Sequence, residues 1–400
     1  PGGATAAHVV GHVNIDNRGV AGMERYVDSQ GLADLAAVGM TSDQPLEPVR
    51  LSIDLRVQSI VREVIYSSID KYQAVGAGAV VLDVHTGEVI AMASAPDYDP
   101  NTPAAGAEEG WLNRMSNGTF EMGSTFKAFT TAMALDSGKV KMTDSFDARF
   151  PIRIGGFTIK DFHGKGRMLT VPEVFQYSSN IGTAKMADVV GIEGQKEFLT
   201  RLGLLTRMQT ELPEVAMPSQ PREWKKIHSV TISFGHGVST TPLQTAVAVA
   251  ALVNGGKLIP PTFLPRTRDE ADVVAQRVMK ESTSEDMRFL FDWNATKGSG
   301  KRALVEGFNV GGKTGTAEKV VNGRYSNEKN FNVFLRPFPI PEPQYAVLTF
   351  IDEPKTGEGG GRTAGLNAAP MVQEIISRSA AILGVKPRFG EDGSALLVSY

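Results

Sequence analysis

From Ser52 the apolar positions recur with helical spacing. Ile53, Val57, Ile60, Val61, Val64 and Ile65 mark one face, and the pattern stops near Gly76-Ala77-Gly78. Ala79-Val80-Val81-Leu82-Asp83-Val84 then has the composition of a buried strand. His85-Thr86-Gly87-Glu88 turns, and Val89-Ile90-Ala91-Met92-Ala93 returns, which predicts a hairpin. Helical patterning dominates from residue 124 to 252, with segments at 126–135, 171–190, 195–202 and 242–253. The last third changes to short β-type runs at 308–310, 330–335 and 345–351, followed by a closing helix over 369–383 and a polar tail. Residues 1–50 differ from the rest, being rich in Gly, Ala, Asp and polar residues, with one helix predicted over 21–35. Strands near both ends with helices between them predict an α+β fold whose sheet is completed by distant segments.

Composition narrows the function. The chain has 400 residues, 42% hydrophobic and 21% charged, which is ordinary for a globular protein. A formal net charge of −3 leaves no basic footprint for nucleic acid. The absence of cysteine excludes disulfides, thiolate catalysis and Cys-based metal centres. His8 and His12 are four apart but lack a nearby acidic ligand, so neither metal nor cofactor is expected. No apolar run approaches the ~20 residues of a membrane helix, the best being 245–253, and no signal peptide is visible.

Three short elements carry chemistry. In Gly123-Ser124-Thr125-Phe126-Lys127, a serine and a lysine three apart share a helix face, so the amine can reach the hydroxyl. A serine is a weak nucleophile until its proton is removed, and a lysine does this when burial or positive neighbours lower its pKa. The same spacing at Ser68–Lys71 and Ser326–Lys329 shows that it is weak alone. In Ser178-Ser179-Asn180, a second serine can relay protons, and an asparagine offers a donor and an acceptor to a substrate amide. In Lys313-Thr314-Gly315-Thr316-Ala317, a strand edge can lay its backbone along an extended peptide. There Gly315 would clear the approach, Lys313 would supply positive charge, and Thr314 and Thr316 would offer hydroxyls to a carboxylate. Lys355-Thr356-Gly357 repeats the tripeptide but leads into a glycine-rich loop. Gly307 to Thr314 also fits the phosphate-loop pattern G-x-x-x-x-G-K-T, which requires a helix to open at the Lys-Thr.

Taken together and in this order, the elements resemble the Ser-x-x-Lys, Ser-x-Asn and Lys-Thr-Gly set of penicillin-binding proteins and serine β-lactamases. The likeness extends to Gly19 through Glu24, Leu51 through Gln58, Ala79 through Asp83, Ser233-Phe234-Gly235-His236-Gly237, Thr241 through Gln244, and Tyr345 through Pro354. These segments are similar to class B penicillin-binding proteins, above all to the penicillin-binding protein 3-like cell-division branch. The resemblance implies an antiparallel sheet flanked by helices plus a helical lobe, with a transpeptidase domain over 51–386. Residues 1–50 would be the remnant of an N-terminal pedestal, and 387–400 a tail. It implies a serine D,D-transpeptidase that cross-links peptidoglycan stem peptides through an acyl-enzyme on Ser124. Lys127 would be the general base, Ser178 the proton relay, Asn180 a donor-peptide ligand and Lys313 an electrostatic tuner. Ser179, Thr314, Gly315 and Thr316 would contact substrate, and the backbone N–H groups of Ser124 and Thr316 would form the oxyanion hole. β-lactams would acylate the same serine. Lipid-linked nascent strands, a membrane glycan polymerase and division proteins would be partners, at the periplasmic side of a bacterial inner membrane, with a single anchor expected before Pro1.

The pattern departs from the family at several points. Met122 stands where a proline is usual, Leu335-Arg336 where a glycine is common, and Gly360-Gly361-Arg362-Thr363 where an aromatic-glycine stretch is common. A β-lactamase or β-lactam sensor would share the three elements. However, Ser178-Ser179-Asn180 lacks the central Asp of the class A enzymes, and no Glu-containing loop motif of theirs follows, so slow hydrolysis is expected. A peptidoglycan-binding scaffold without activity is the remaining alternative.

Overall fold

The protein was analysed as a computed structural model that describes residues 2–38, 48–103, 108–298, 305, 308, 312–355 and 361–387. Its centre is a five-stranded antiparallel sheet. The strands are β1 (Gly76–Asp83) and β2 (Val89–Ala95) from the start of the chain, and β9 (Lys313–Val321), β10 (Arg324–Phe338) and β11 (Tyr345–Asp352) from its last third. Their order is β2-β1-β11-β10-β9, so the early hairpin is joined to the late strands by β1–β11 pairing, with Ala79 opposite Thr349. Between them lie three small two-stranded sheets: β3 (Ser145–Asp147) with β6 (Met168–Thr170), β4 (Ile152–Ile154) with β5 (Phe157–Ile159), and β7 (Lys257–Leu258) with β8 (Gln276–Arg277).

The alternation of the strands sorts the core into two layers. Ala77, Ala79, Val81, Phe334, Phe338, Val347 and Ile351 face one way, against the Leu55–Tyr72 and Ala368–Ser379 helices. Val80, Leu82, Val333, Leu335, Leu348 and Phe350 face the other way, against a helical lobe. At the centre of that lobe is the Pro242–Val253 helix, which is buried along its whole length. Beyond Gln244 and Thr245 in its first turn it is apolar on all sides, as suits a helix enclosed by its neighbours. Thr241 caps it by accepting from Gln244 N, and Pro242 occupies the first helical position, where its missing N–H costs nothing.

Several boundaries differ from the sequence reading. The early strand begins at Gly76 rather than Ala79. The segment 171–190 is two helices, Val171–Gln176 and Asn180–Val190. The helices Lys226–Ser233 and Glu281–Lys297 were not anticipated. Nor was the hairpin joining β9 to β10, where Asn322 and Gly323 both take positive φ, 51° and 76°. That is the two-residue turn whose twist matches paired strands. Of the β-type run 308–310, Phe308 bridges to Val305, and the other two residues lie outside the described set, as does the tail beyond 387. Residues 3–10 pack against β2, the Gly22–Val38 helix packs on them, and Val9 and Met23 join the lobe-side core. Among the described residues, no helix is long and apolar enough to cross a membrane.

Candidate active site

Three backbone segments meet without side chains between them. Gly123 has φ +52°, and a Cβ there would lie 2.7 Å from the carbonyl oxygen of Thr316 in β9. Gly235 has φ +94°, and a Cβ there would lie 1.9 Å from Gly123 O. Only glycine fits both the dihedral and the space. This contact holds the 3₁₀ turn Gly123–Phe126 against the edge strand, and the Lys127–Asp136 helix follows directly. Thr125 Oγ1 donates to Met122 O at 2.6 Å and tightens the turn. Within it Gly123, Thr125 and Phe126 are buried, whereas Ser124 is partly exposed. Among the described residues, Ser124 Oγ makes no hydrogen bond.

Lys127 is buried one helical turn below Ser124. Its Nζ donates to the backbone carbonyl of Ser178 and lies 2.9 Å from Ser178 Oγ. Lys313, also buried, enters from β9 and places its Nζ 3.0 Å from the same Oγ. Ser178 can offer both oxygens to Lys127 because it sits in the break between two helices with φ +53°. A left-handed conformation is strained for a serine and is retained where the surroundings enforce it. Burial and the neighbouring Lys313 charge hold the Lys127 amine well below the usual lysine range, against a smaller opposing pull from Asp161. Burial also lowers Lys313, to about 7. Removing an ammonium from water disfavours its charged form, so burial favours the neutral, basic form of both amines.

The second element is anchored differently from what its sequence suggests. Ser179 was expected to contact substrate, but its side chain is buried and caps the Asn180–Val190 helix. Its Oγ accepts from Gly182 N at 2.9 Å and donates to Asp161 Oδ2 at 2.7 Å. Asp161 Oδ1 in turn accepts from Ile181 N at 2.9 Å. Thus serine and aspartate together satisfy two of the open N–H groups of the helix start. Asn180 stays partly exposed, with Nδ2 donating to Lys160 O at 2.8 Å and the rest of its amide open. Asp161 carried no motif in the sequence; only the folded contact across 18 residues reveals it.

In β9 the alternation places Lys313, Gly315 and Ala317 on the lobe side and leaves Thr314 and Thr316 partly exposed. The role anticipated for Gly315 is corrected here. A Cβ at Gly315 would lie 2.3 Å from Met122 O and 2.9 Å from Thr125 Cγ2, so the missing side chain makes room for the serine turn, not for substrate. Thr316 Oγ1 accepts from Ala364 N at 3.1 Å. In the five-stranded order β9 is the terminal strand beside β10.

A further cluster escaped the sequence reading. Glu121, just before the serine turn, receives Gly237 N at 2.8 Å, pairs with His236 Nδ1 at 3.0 Å and accepts from Tyr325 Oη at 3.3 Å. It ties the 233–237 loop and the β9–β10 hairpin to the approach to Ser124. Its signal was available in Ser233 through Gly237, which was read only as part of a resemblance.

The competing motifs fall away. Ser68 is buried in a core helix, and Lys71 lies over the Tyr72 ring. Ser326 Oγ caps a bend, and Lys329 pairs with Glu353 at 3.1 Å. Lys313-Thr314 begins a strand, so no phosphate-binding helix opens there. Gly307, Gly311 and the second Lys-Thr-Gly beyond Lys355 lie outside the described residues. His8 and His12 flank the ring of Tyr98. Among the described residues, no group of three or more metal-ligating side chains forms.

A partly exposed serine, two buried lysines, a hydroxyl between them and the terminal strand of the sheet can together form and transfer an acyl group. Comparison with known proteins agrees. The penicillin binding protein transpeptidase domain matches residues 77–377. The chain is 40% identical over 400 residues to the probable peptidoglycan D,D-transpeptidase FtsI of Caulobacter vibrioides, covering 96% of this chain and 66% of that protein. It is 30% identical to the peptidoglycan D,D-transpeptidase FtsI of Escherichia coli K12, covering 97% and 67%. The chain therefore spans about two thirds of the length of these relatives. The apo transpeptidase domain of Burkholderia pseudomallei penicillin-binding protein 3 superposes with a TM-score of 0.76 at 30% identity, covering 87% of this chain and all of that one.

Proposed function

The chain belongs to the penicillin-binding protein transpeptidase family, and we propose that it is a serine D,D-transpeptidase that cross-links peptidoglycan stem peptides during septal wall synthesis. The observation that carries this reading is the convergence of Lys127 and Lys313 on Ser178 Oγ beside the Ser124 turn.

Neutral Lys127 removes the proton of Ser124, whose oxygen attacks the penultimate D-Ala carbonyl. The backbone N–H groups of Ser124 and Thr316 receive the developing oxyanion, a role supported by the contact of Gly123 with the Thr316 backbone. Ser178, which can accept from one lysine and donate to the other, passes the proton to the departing D-Ala amine. The open amide of Asn180 holds the donor peptide, and Thr314 and Thr316 hold its carboxylate. An amine of a neighbouring strand then takes the acyl group. A β-lactam enters by the same route and stays. The carboxylate next to this network, Asp161, is committed to Ser179 and Ile181, which supports slow hydrolysis over β-lactamase turnover.

Residues 1–50 are read as the end of a pedestal, and 51–386 as the catalytic domain. A membrane anchor, a periplasmic site of action, a membrane glycan polymerase and division proteins complete the proposal. The test is release of D-Ala from a stem pentapeptide in the presence of an amine acceptor. Rapid, continuous hydrolysis of a chromogenic cephalosporin would instead favour the β-lactamase.

A further inference from the structure

Thr316 is held from behind by an assembly that the chemistry above does not use. Directly opposite it in the β9–β10 register is Asn332, fully buried on β10. Asn332 Nδ2 donates to Arg362 O at 2.9 Å and to Asn367 Oδ1 at 3.2 Å. Asn367, also fully buried, donates from Nδ2 to Gly361 O at 3.0 Å, and its Oδ1 accepts from Ala368 N at 2.7 Å. The turn between them closes through Leu366 N to Thr363 O at 2.9 Å and is pinned by Tyr72 Oη on Leu366 O at 3.1 Å. What this closed turn presents to the sheet edge is the N–H of Ala364, 3.1 Å from Thr316 Oγ1.

A threonine hydroxyl has one proton and two lone pairs. With a lone pair engaged by Ala364 N–H, its proton is left to donate, and hydrogen-bond chains strengthen the next donation. We infer that Asn332 and Asn367 form a buried clamp that fixes Thr316 as a donor, making them positioning residues that select acyl donors bearing a carboxylate. The inference rests on the acyl-transfer reading above and adds the origin of its specificity.

Two substitutions dissect the clamp. Asn332→Leu removes the donor amide at similar volume. It also removes a buried Oδ1 that lacks a partner among the described residues, which offsets part of the cost of losing the two Nδ2 hydrogen bonds. Ala364→Pro deletes the N–H itself at the first position of a 3₁₀ turn, after a Thr363 already extended at φ −101° and ψ 150°. Acylation rates are measured for wild type and both variants with benzylpenicillin and with its methyl ester, which lacks the carboxylate, alongside melting curves. The clamp predicts that each variant loses about ten-fold with benzylpenicillin, as expected for one charge-assisted hydrogen bond. It also predicts that the ester rate stays within about two-fold, as a bond that contacts only the carboxylate requires. Equal losses for both compounds, or an unchanged benzylpenicillin rate, would overturn it. Wild-type protein that takes up neither compound would overturn the acyl-transfer reading beneath it. If one variant does not fold, the other carries the same comparison.

Discussion

Lys127 and Lys313 converge on a single oxygen: Ser178 Oγ lies 2.9 Å from the first amine and 3.0 Å from the second. Two ammonium groups that close, both out of water, would repel and lose hydration together. Shedding positive charge relieves this cost, and in the proposed acyl transfer it also supplies the base for Ser124. Burying the two amines costs stability, and the same burial favours their neutral, basic form.

Lys313→Met should accordingly raise the melting temperature while slowing acylation by at least about a hundred-fold. Its buried ammonium titrates at about 7 when folded and near 10.5 when unfolded. Between those values the unfolded chain binds the extra proton, so the native state gains as pH rises. The cost of burial is full below about pH 7, on the order of 3–5 kcal/mol at most, and is relieved toward pH 10.5. The stability advantage of the variant should thus shrink from pH 7 to pH 10 in parallel denaturant titrations. A constant or growing advantage would refute this.

Asp161→Asn should move the acid limb of the acylation profile to lower pH. Asp161 is the one group named above whose charge raises Lys127, so neutralising it lets the amine lose its proton more easily. The same change weakens the anion at the start of the Asn180–Val190 helix and should cost about 0.3–1 kcal/mol of stability. A pH–rate series with a fluorescent penicillin checks the direction; an unmoved limb would remove Asp161 from the electrostatics of the site.

Gly315→Ala should damage the nucleophile rather than the substrate path. Its Cβ would stand 2.3 Å from Met122 O, which is backbone and cannot rotate away. The expected cost is about 1–3 kcal/mol of stability with a large loss of acylation, because the serine turn shifts. Equal losses with a large and a small β-lactam would confirm displacement of Ser124. A defect confined to the large one would restore the substrate-clearance reading.

The sheet and the three chemical elements could be read from sequence because each rests on a local signal. The β1–β2 hairpin, the Pro242–Val253 helix and the β11 run announce themselves through composition and caps. The break at Tyr177–Ser179 was hidden because apolar periodicity continues on both sides of it. There the helix-capping signal of Ser179 was read as chemistry. The β9–β10 turn was overlooked although Asn322-Gly323 is a strong hairpin signal, since the flanking residues show no clean apolar–polar alternation and are mostly exposed. Asp161 and Asn332 could not be found, because their partners lie 18 to 35 residues away and exist only in the folded chain.

The most direct test of the account is to incubate the purified protein with a fluorescent penicillin and locate the adduct by peptide mass spectrometry. The account predicts one stable acyl group on Ser124, absent from Ser124→Ala. Labelling that persists in Ser124→Ala, or an adduct on another residue, would contradict it.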